Sequence, residues 1–132
     1  MATSTFLSQL TSLTVNAVDL KDQCTSINFV NSRDSLESTS FGDTSRKYVG
    51  GLYTNECTMT LYQSYVASET YATLAALVGT TTTIVASVTD GATTKTFTLT
   101  GTYLESLPVA NMSLGELSTV DITFTGGVFT AA

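Results

Sequence analysis

Threonine recurs at every second position through Thr96, Thr98, Thr100 and Thr102, interleaved with Phe97 and Leu99 and followed by Tyr103. Side chains two apart on an extended chain share a face, so this pattern fits a half-buried strand and no helix. It predicts a strand over Lys95–Leu104. Gly101 falls on the apolar face of that strand and predicts a bulge or a close backbone approach. The same period governs Leu13, Val15 and Ala17, then Ile27 and Phe29, then Cys57, Met59 and Leu61, and finally Val120, Ile122 and Phe124. A weaker alternation runs from Thr82 to Thr89. Asp90-Gly91, between it and the Lys95 strand, is a hairpin turn signal. Gly126-Gly127 ends the last strand and leaves Val128-Phe129 as a short apolar tail. Roughly six strands result, mostly antiparallel if short turns join them.

One helix is expected among them. Ser68 suits an N-cap and Glu69 the first turn. Tyr71, Leu74, Ala75 and Val78 make a helical stripe, and Gly79 fits a left-handed stop. Such a helix has about three turns and would cover one side of a sheet or one end of a barrel. The polar stretch from Asn31 to Leu52 reads as a long connection, where most connections run to about four to six residues. It holds Arg33, Arg46 and Lys47, three of the five basic residues, beside Asp34, Glu37 and Asp43. Two readings stand: a mobile surface loop, or a docking arm for an acidic copy of the same chain, ordered only when docked.

Composition narrows the chemistry. The chain has 132 residues, a length that fits one domain, and no histidine, which removes Ser-His-Asp and Cys-His catalysis and most zinc sites. Cys24 and Cys57 read as small buried hydrophobes rather than a disulfide. Asp19 with Asp22, and Asp34 with Glu37, are too sparse for a calcium loop. Gly50-Gly51 lacks the lysine and helix start of a phosphate cradle. Tyr48, Tyr53, Tyr62 and Tyr65 could stack on a sugar or base, but scattered tyrosines are more often interface residues. No catalytic, cofactor-binding or metal-binding residue is expected, and the chain is expected not to be an enzyme. A net charge of −6, with Lys21 and Lys95 far from the other cations, disfavours nucleic-acid binding. The N-terminus lacks the basic and apolar regions of a signal peptide, and the longest mostly apolar stretch, Tyr71–Val78, is too short to span a bilayer. Synthesis in the cytoplasm and no membrane partner are expected.

At Thr39-Ser40-Phe41-Gly42-Asp43, followed by Arg46, Tyr48 and Gly51-Leu52, the sequence resembles the tail tube (major tail) proteins of long-tailed bacteriophages. The order of elements continues the likeness: a strand, a short helix, the Thr81–Gly101 hairpin, the segment from Pro108 to Glu116 and the Val120–Thr125 strand. The resemblance covers Leu13 to Gly127. It implies a mainly β chain, an antiparallel β-sandwich or barrel-like tail-tube domain over residues 1–132 with one short flanking helix and a long loop at 31–51. It implies six copies in a ring, their inner sheets joined around a channel, and rings stacked into a tube in the virion tail through which genomic DNA leaves without specific binding. Partners would be further copies and other phage tail proteins. Carried onto this chain, Thr39, Phe41, Gly42, Asp43, Arg46, Lys47 and Tyr48 would contact neighbouring subunits or rings, together with the segments 2–10 and 126–132. Glu56, Glu116 and Asp121, expected on the polar sides of their strands, are candidates to face the channel; a solvated outer face is the alternative. A ring of six would carry six times the −6 of one chain, a wall that repels DNA rather than trapping it. Other β-rich virion proteins compete with this reading: a tail terminator, a capsid decoration protein or the tube of a contractile injection system. A surface or carbohydrate-binding module is a further alternative.

Overall fold

Cys57 stands opposite Phe124, Met59 opposite Ile122, and Leu61 opposite Val120 on two neighbouring antiparallel strands. All six side chains are buried. Thr58, Thr60, Asp121 and Thr123 between them point to the other face. This is the period-two pattern acting as expected: one face packs and the other meets water. The structure is a computed structural model and describes residues 10–90 and 93–132. Its elements are β1 (Leu10–Val15), β2 (Val18–Asp19), β3 (Cys24–Glu37), β4 (Tyr48–Tyr62), α1 (Thr70–Leu74), a 3-10 turn (Ala75–Leu77), β5 (Thr81–Asp90), β6 (Thr93–Leu104), β7 (Thr119–Thr125) and β8 (Val128–Ala131).

The strands form one antiparallel sheet in the order β2-β1-β5-β6-β7-β4-β3, with β8 added on β6. The sheet is not closed by hydrogen bonds; β2 and β3 end the path. It nevertheless rolls around a single core that takes Leu13 and Val15 from β1, Ile84 from β5, Leu99 and Leu104 from β6, and the six side chains above. The rings of Phe29 on β3 and Phe97 on β6 come to 6.3 Å, and Phe97 stacks on Phe129 of β8 at 5.9 Å. Strands far apart in the order therefore face each other across the core. The result is the β-rich, barrel-like domain expected, with one short helix at its side. Each fully buried Leu or Phe contributes about 2 kcal/mol to holding the roll together.

β6 changes partner along its length. It pairs with β8 over Phe97–Thr100 and with β7 at Tyr103 and Leu104. Gly101 (φ +74) lies between, and the register with β5 slips there, from Thr83 opposite Thr100 to Thr82 opposite Thr102. The expected bulge is present. Its partner is Gly127 (φ +92), where a Cβ would lie 2.6 Å from the Thr100 carbonyl oxygen. The short apolar tail is thus a strand, Val128–Ala131, seated by a glycine that lets two backbones touch.

Other expectations are corrected. The first strand stops at Val15 rather than running through Ala17. Asn16 (φ 51) and Ala17 (φ 65) are both left-handed and form a two-residue turn into β2, with Val15 opposite Val18. The helix has five residues and a 3-10 turn instead of three turns. Its buried residues are Thr70, Thr73, Leu74 and Leu77, one position off the expected stripe, and Val78 is exposed. The Thr70 hydroxyl donates to the Tyr62 carbonyl at 2.7 Å, which turns that threonine inward and rotates the helix. Glu69, not Ser68, holds the N-cap position, while Gly79 (φ +80) does end the element. The Asp90-Gly91 turn lies outside the described residues at Gly91, although β5 and β6 pair as expected up to Asp90 opposite Thr93. Most far-reaching, the segment 31–51 is not an extended loop. β3 continues to Glu37 and β4 begins at Tyr48, so only Ser38–Lys47 lies between the strands, closed by the Ser38 N–H donating to the Lys47 carbonyl at 2.8 Å.

Candidate assembly surface

The long hairpin of β3 and β4 has two halves. From Cys24 opposite Leu61 to Val30 opposite Glu56, it belongs to the rolled sheet. β7 covers the other edge of β4 only over Glu56–Tyr62. Beyond Asn31 opposite Asn55, the two strands continue alone to Glu37 opposite Tyr48. This arm reaches about 25 Å past the last pair with β7. Both its faces are exposed: Leu36, Tyr48, Val49, Leu52 and Tyr53 lie open, and Phe41 at the tip is fully exposed. An isolated two-stranded ribbon is marginal in water, so such an arm calls for something to pack on.

The arm is nevertheless well fixed at its root, along its length and at its tip. At the root, buried Asn55 donates through Nδ2 to the Gly127 carbonyl (2.9 Å), and its backbone carbonyl accepts from Gly126 N–H (2.9 Å). Midway, Arg33 lies flat across β4: Nε donates to the Gly51 carbonyl at 2.9 Å, and the guanidinium sits 4.9 Å over the Tyr53 ring. The same side chain explains Gly50, where a Cβ would come within 2.4 Å of Arg33 Nε. The glycine pair cradles an arginine, not a phosphate.

The tip loop gathers the expected contact residues. Ser40 N–H donates to Asp43 Oδ2 (2.9 Å), Asp43 N–H donates to the Ser40 carbonyl (3.1 Å), and Gly42 (φ +97) closes the turn. Lys47 N–H donates to Thr39 Oγ1 at 2.8 Å. Lys47 pairs with Asp43 at 3.0 Å and Arg46 with Glu37 at 2.9 Å. The Ser40 N–H, then Lys47, hold the Asp43 carboxyl below its usual range. Thr39, Phe41, Gly42, Asp43, Arg46, Lys47 and Tyr48 thus form one structure. Phe41 is its unpaired apolar point.

A second exposed surface was not signalled by the sequence. The connection from β6 to β7, residues 105–118, leaves Val109, Met112, Leu114 and Leu117 exposed, Leu114 fully so. Its backbone is pinned. Gln63 Nε2 and the Tyr65 hydroxyl donate to the Val109 carbonyl (3.1 and 2.6 Å), Asn111 Nδ2 donates to the Thr119 carbonyl (2.7 Å), and the Ser118 hydroxyl donates to the Asn111 carbonyl (2.5 Å). The only sequence trace of it is four apolar residues without any period.

The polar face of the sheet carries two of the three candidate acids. Glu56 on β4 and Asp121 on β7 point away from the core, and Asp121 accepts from the Thr60 hydroxyl at 2.6 Å. Around them stand Thr58, Thr123 and Thr125, with no lysine or arginine on this face of β4 or β7. Glu116 differs from expectation: it lies in the 105–118 loop, not on a strand, its N–H bonded to the Ser113 carbonyl.

Among the described residues, no cluster of three His, Cys, Asp or Glu could hold a metal, and no helix is long and apolar enough to cross a membrane. Cys24 and Cys57 are free thiols. Burial, with Cys24 and Glu56 adding to it, pushes the Cys57 thiol up to about 12. Ile27, Phe29, Phe97 and Phe129 line an open apolar groove of about 280 Å³ at the seam of the roll.

Solved structures share this arrangement over its whole length. Chains in solved structures of contractile injection systems have this fold. A chain from the sheath/tube terminator of the extracellular contractile injection system PVC, in its extended state, matches with a TM-score of 0.72 and 13% identity, covering 99% of this chain and 98% of that one. The tube-terminating cap of the anti-feeding prophage matches at 0.66 and 14% identity, over 100% and 95%. A chain of the six-fold symmetrised anti-feeding prophage baseplate matches at 0.62 and 9% identity, over 100% and 97%. No protein-family model and no curated protein matches the sequence.

Proposed function

We propose that this chain is a structural subunit of a phage tail or tail-like injection tube, assembling as a ring of copies at the end of that tube. The observation that carries this is the end-to-end likeness to a tube terminator, with 99% and 98% of the two chains covered. The arm supports it. An arm open on both faces, rooted in the core by Asn55 and stiffened by Arg33, is built to meet a neighbour. In this reading the threonine-rich face with Glu56 and Asp121 lines or borders the channel, and DNA or another cargo passes without binding because no array of cations awaits it. The ring has six copies, and its other partners are tail proteins of the virion.

A second reading, the repeating subunit of the tube itself, is favoured by the two exposed surfaces standing at opposite ends of β4, which suit stacking. Negative-stain electron microscopy of the purified chain separates the two. Rings with a central hole and no filaments are expected of a terminator; long hollow tubes select the repeating subunit. A chain that stays monomeric at every concentration overturns both.

A further inference from the structure

The arm and the 105–118 loop differ in position and in charge. Tyr48 begins β4 at the arm and Tyr62 ends it, with Thr119, where the loop re-enters the sheet, directly opposite Tyr62. Fourteen residue steps of extended chain separate the two surfaces, about 46 Å. No copy can lay its own arm on its own loop. The segment 31–52 holds three cations and three acids, so the whole net charge of −6 lies on the rest of the chain. The loop adds Glu105 and Glu116 and has no cation. A neutral arm bearing Arg46 and Lys47 can approach that acidic surface, whereas two loops facing each other would set like charges together. Both surfaces are apolar at their points, Phe41 on one and Leu114 on the other, and both backbones are already held by hydrogen bonds.

We infer that the tip of one copy's arm, led by Phe41, docks on the 105–118 loop of a second copy around Leu114. The inference rests on the ring-forming reading and names its subunit contact. The contact joins two different patches, so it is head-to-tail. Such contacts close into rings when the rotation allows and run on as filaments when it does not.

The test uses two full-length variants, Phe41→Asp and Leu114→Asp. Both positions are fully exposed, so each variant should keep the wild-type circular dichroism and melting temperature. Each alone should need a roughly thirtyfold or higher concentration to assemble, as for a central hot spot. Mixed, they should form a 1:1 dimer and no more, because one intact arm meets one intact loop. As a second measurement, chains carrying Phe41→Cys and Leu114→Cys, both with Cys24→Ser, should form an oxidised cross-link only in the mixture. If both Asp variants assemble like the wild type, the inference falls while the ring reading stands. If the mixture stays monomeric and Phe41→Cys cross-links to itself, the contact is arm to arm and the inference is overturned. If the wild type itself never assembles, both readings fall.

Discussion

The two halves of the β3–β4 hairpin share one pairing and differ in everything else. In the inner half, Ile27, Phe29, Cys57, Met59 and Leu61 alternate with polar residues and pack into the core. In the outer half, Leu36, Val49, Leu52 and Tyr53 are as apolar but stay more than half exposed. Hydrogen-bonded pairing is therefore not what separates core from arm; a surface to pack on is. The inner half finds it in the rolled sheet. In the proposed assembly the outer half finds it in another copy. The halves should answer mutation in opposite ways.

The largest contrast is in aromatic truncation. Phe124→Ala removes a fully buried ring from the core and should cost about 3–5 kcal/mol in chemical denaturation. Phe41→Ala should change stability by less than about 0.5 kcal/mol yet weaken assembly, as read by sedimentation. Deleting Thr39–Lys47 should sharpen the same contrast: a folded chain that no longer assembles. Normal assemblies from the deletion would count against any role for the tip.

Smaller effects probe the backbone. Gly127→Ala places a Cβ against the Thr100 carbonyl at a left-handed φ and should cost about 2 kcal/mol or more, loosening β8 and the Asn55 root together. Ala17→Gly relieves a left-handed alanine in the β1–β2 turn and should stabilise by about 0.5–1 kcal/mol, with no effect on assembly. The smallest effects are in pH. The folded pKa of Asp43 lies below its ordinary 3.8, so its ties to Ser40 and Lys47 hold above that range and are lost as pH falls through the folded value. Tip resonances should shift there while core resonances stay. Cys57 acts at the other end. Its thiol keeps its proton in the fold up to about 12, so its contribution is complete below pH 9 and is lost as pH rises through the folded value. Alkaline titration should lower stability through the core and leave the tip alone.

The body of the fold was legible because burial writes itself into alternation. The β4, β6 and β7 strands, the Gly101 bulge and the Gly126-Gly127 turn all follow from residue types whose physics is local. The misplaced features obey longer-range causes. Thr70 turned inward because the Tyr62 carbonyl, eight residues back, needed a donor. Val128-Phe129 became a strand because β7 leaves part of the β6 edge empty. The arm looked like a loop because a ribbon exposed on both faces has no reason to alternate, and Gly50, which leaves room for Arg33, adds no side chain to the pattern. Phe41, Arg46 and Lys47 stood out in the sequence through charge and the resemblance, and they share one tip loop; the exposed Leu114 and its loop did not stand out, since apolar residues without a period carry no sequence signal. Glu56 and Asp121 fell on one face by strand parity, which Glu116, in a loop, does not obey.

Hydrogen exchange on the arm tests the central claim most directly. Amides of residues 32–55 are followed in assembled wild-type protein and in the monomeric Leu114→Asp variant, with residues 57–61 as the internal reference. The account predicts arm amides that exchange readily in the monomer and become strongly protected on assembly, while the reference strand stays equally protected in both. Arm amides already as protected in the monomer as in the assembly would contradict it.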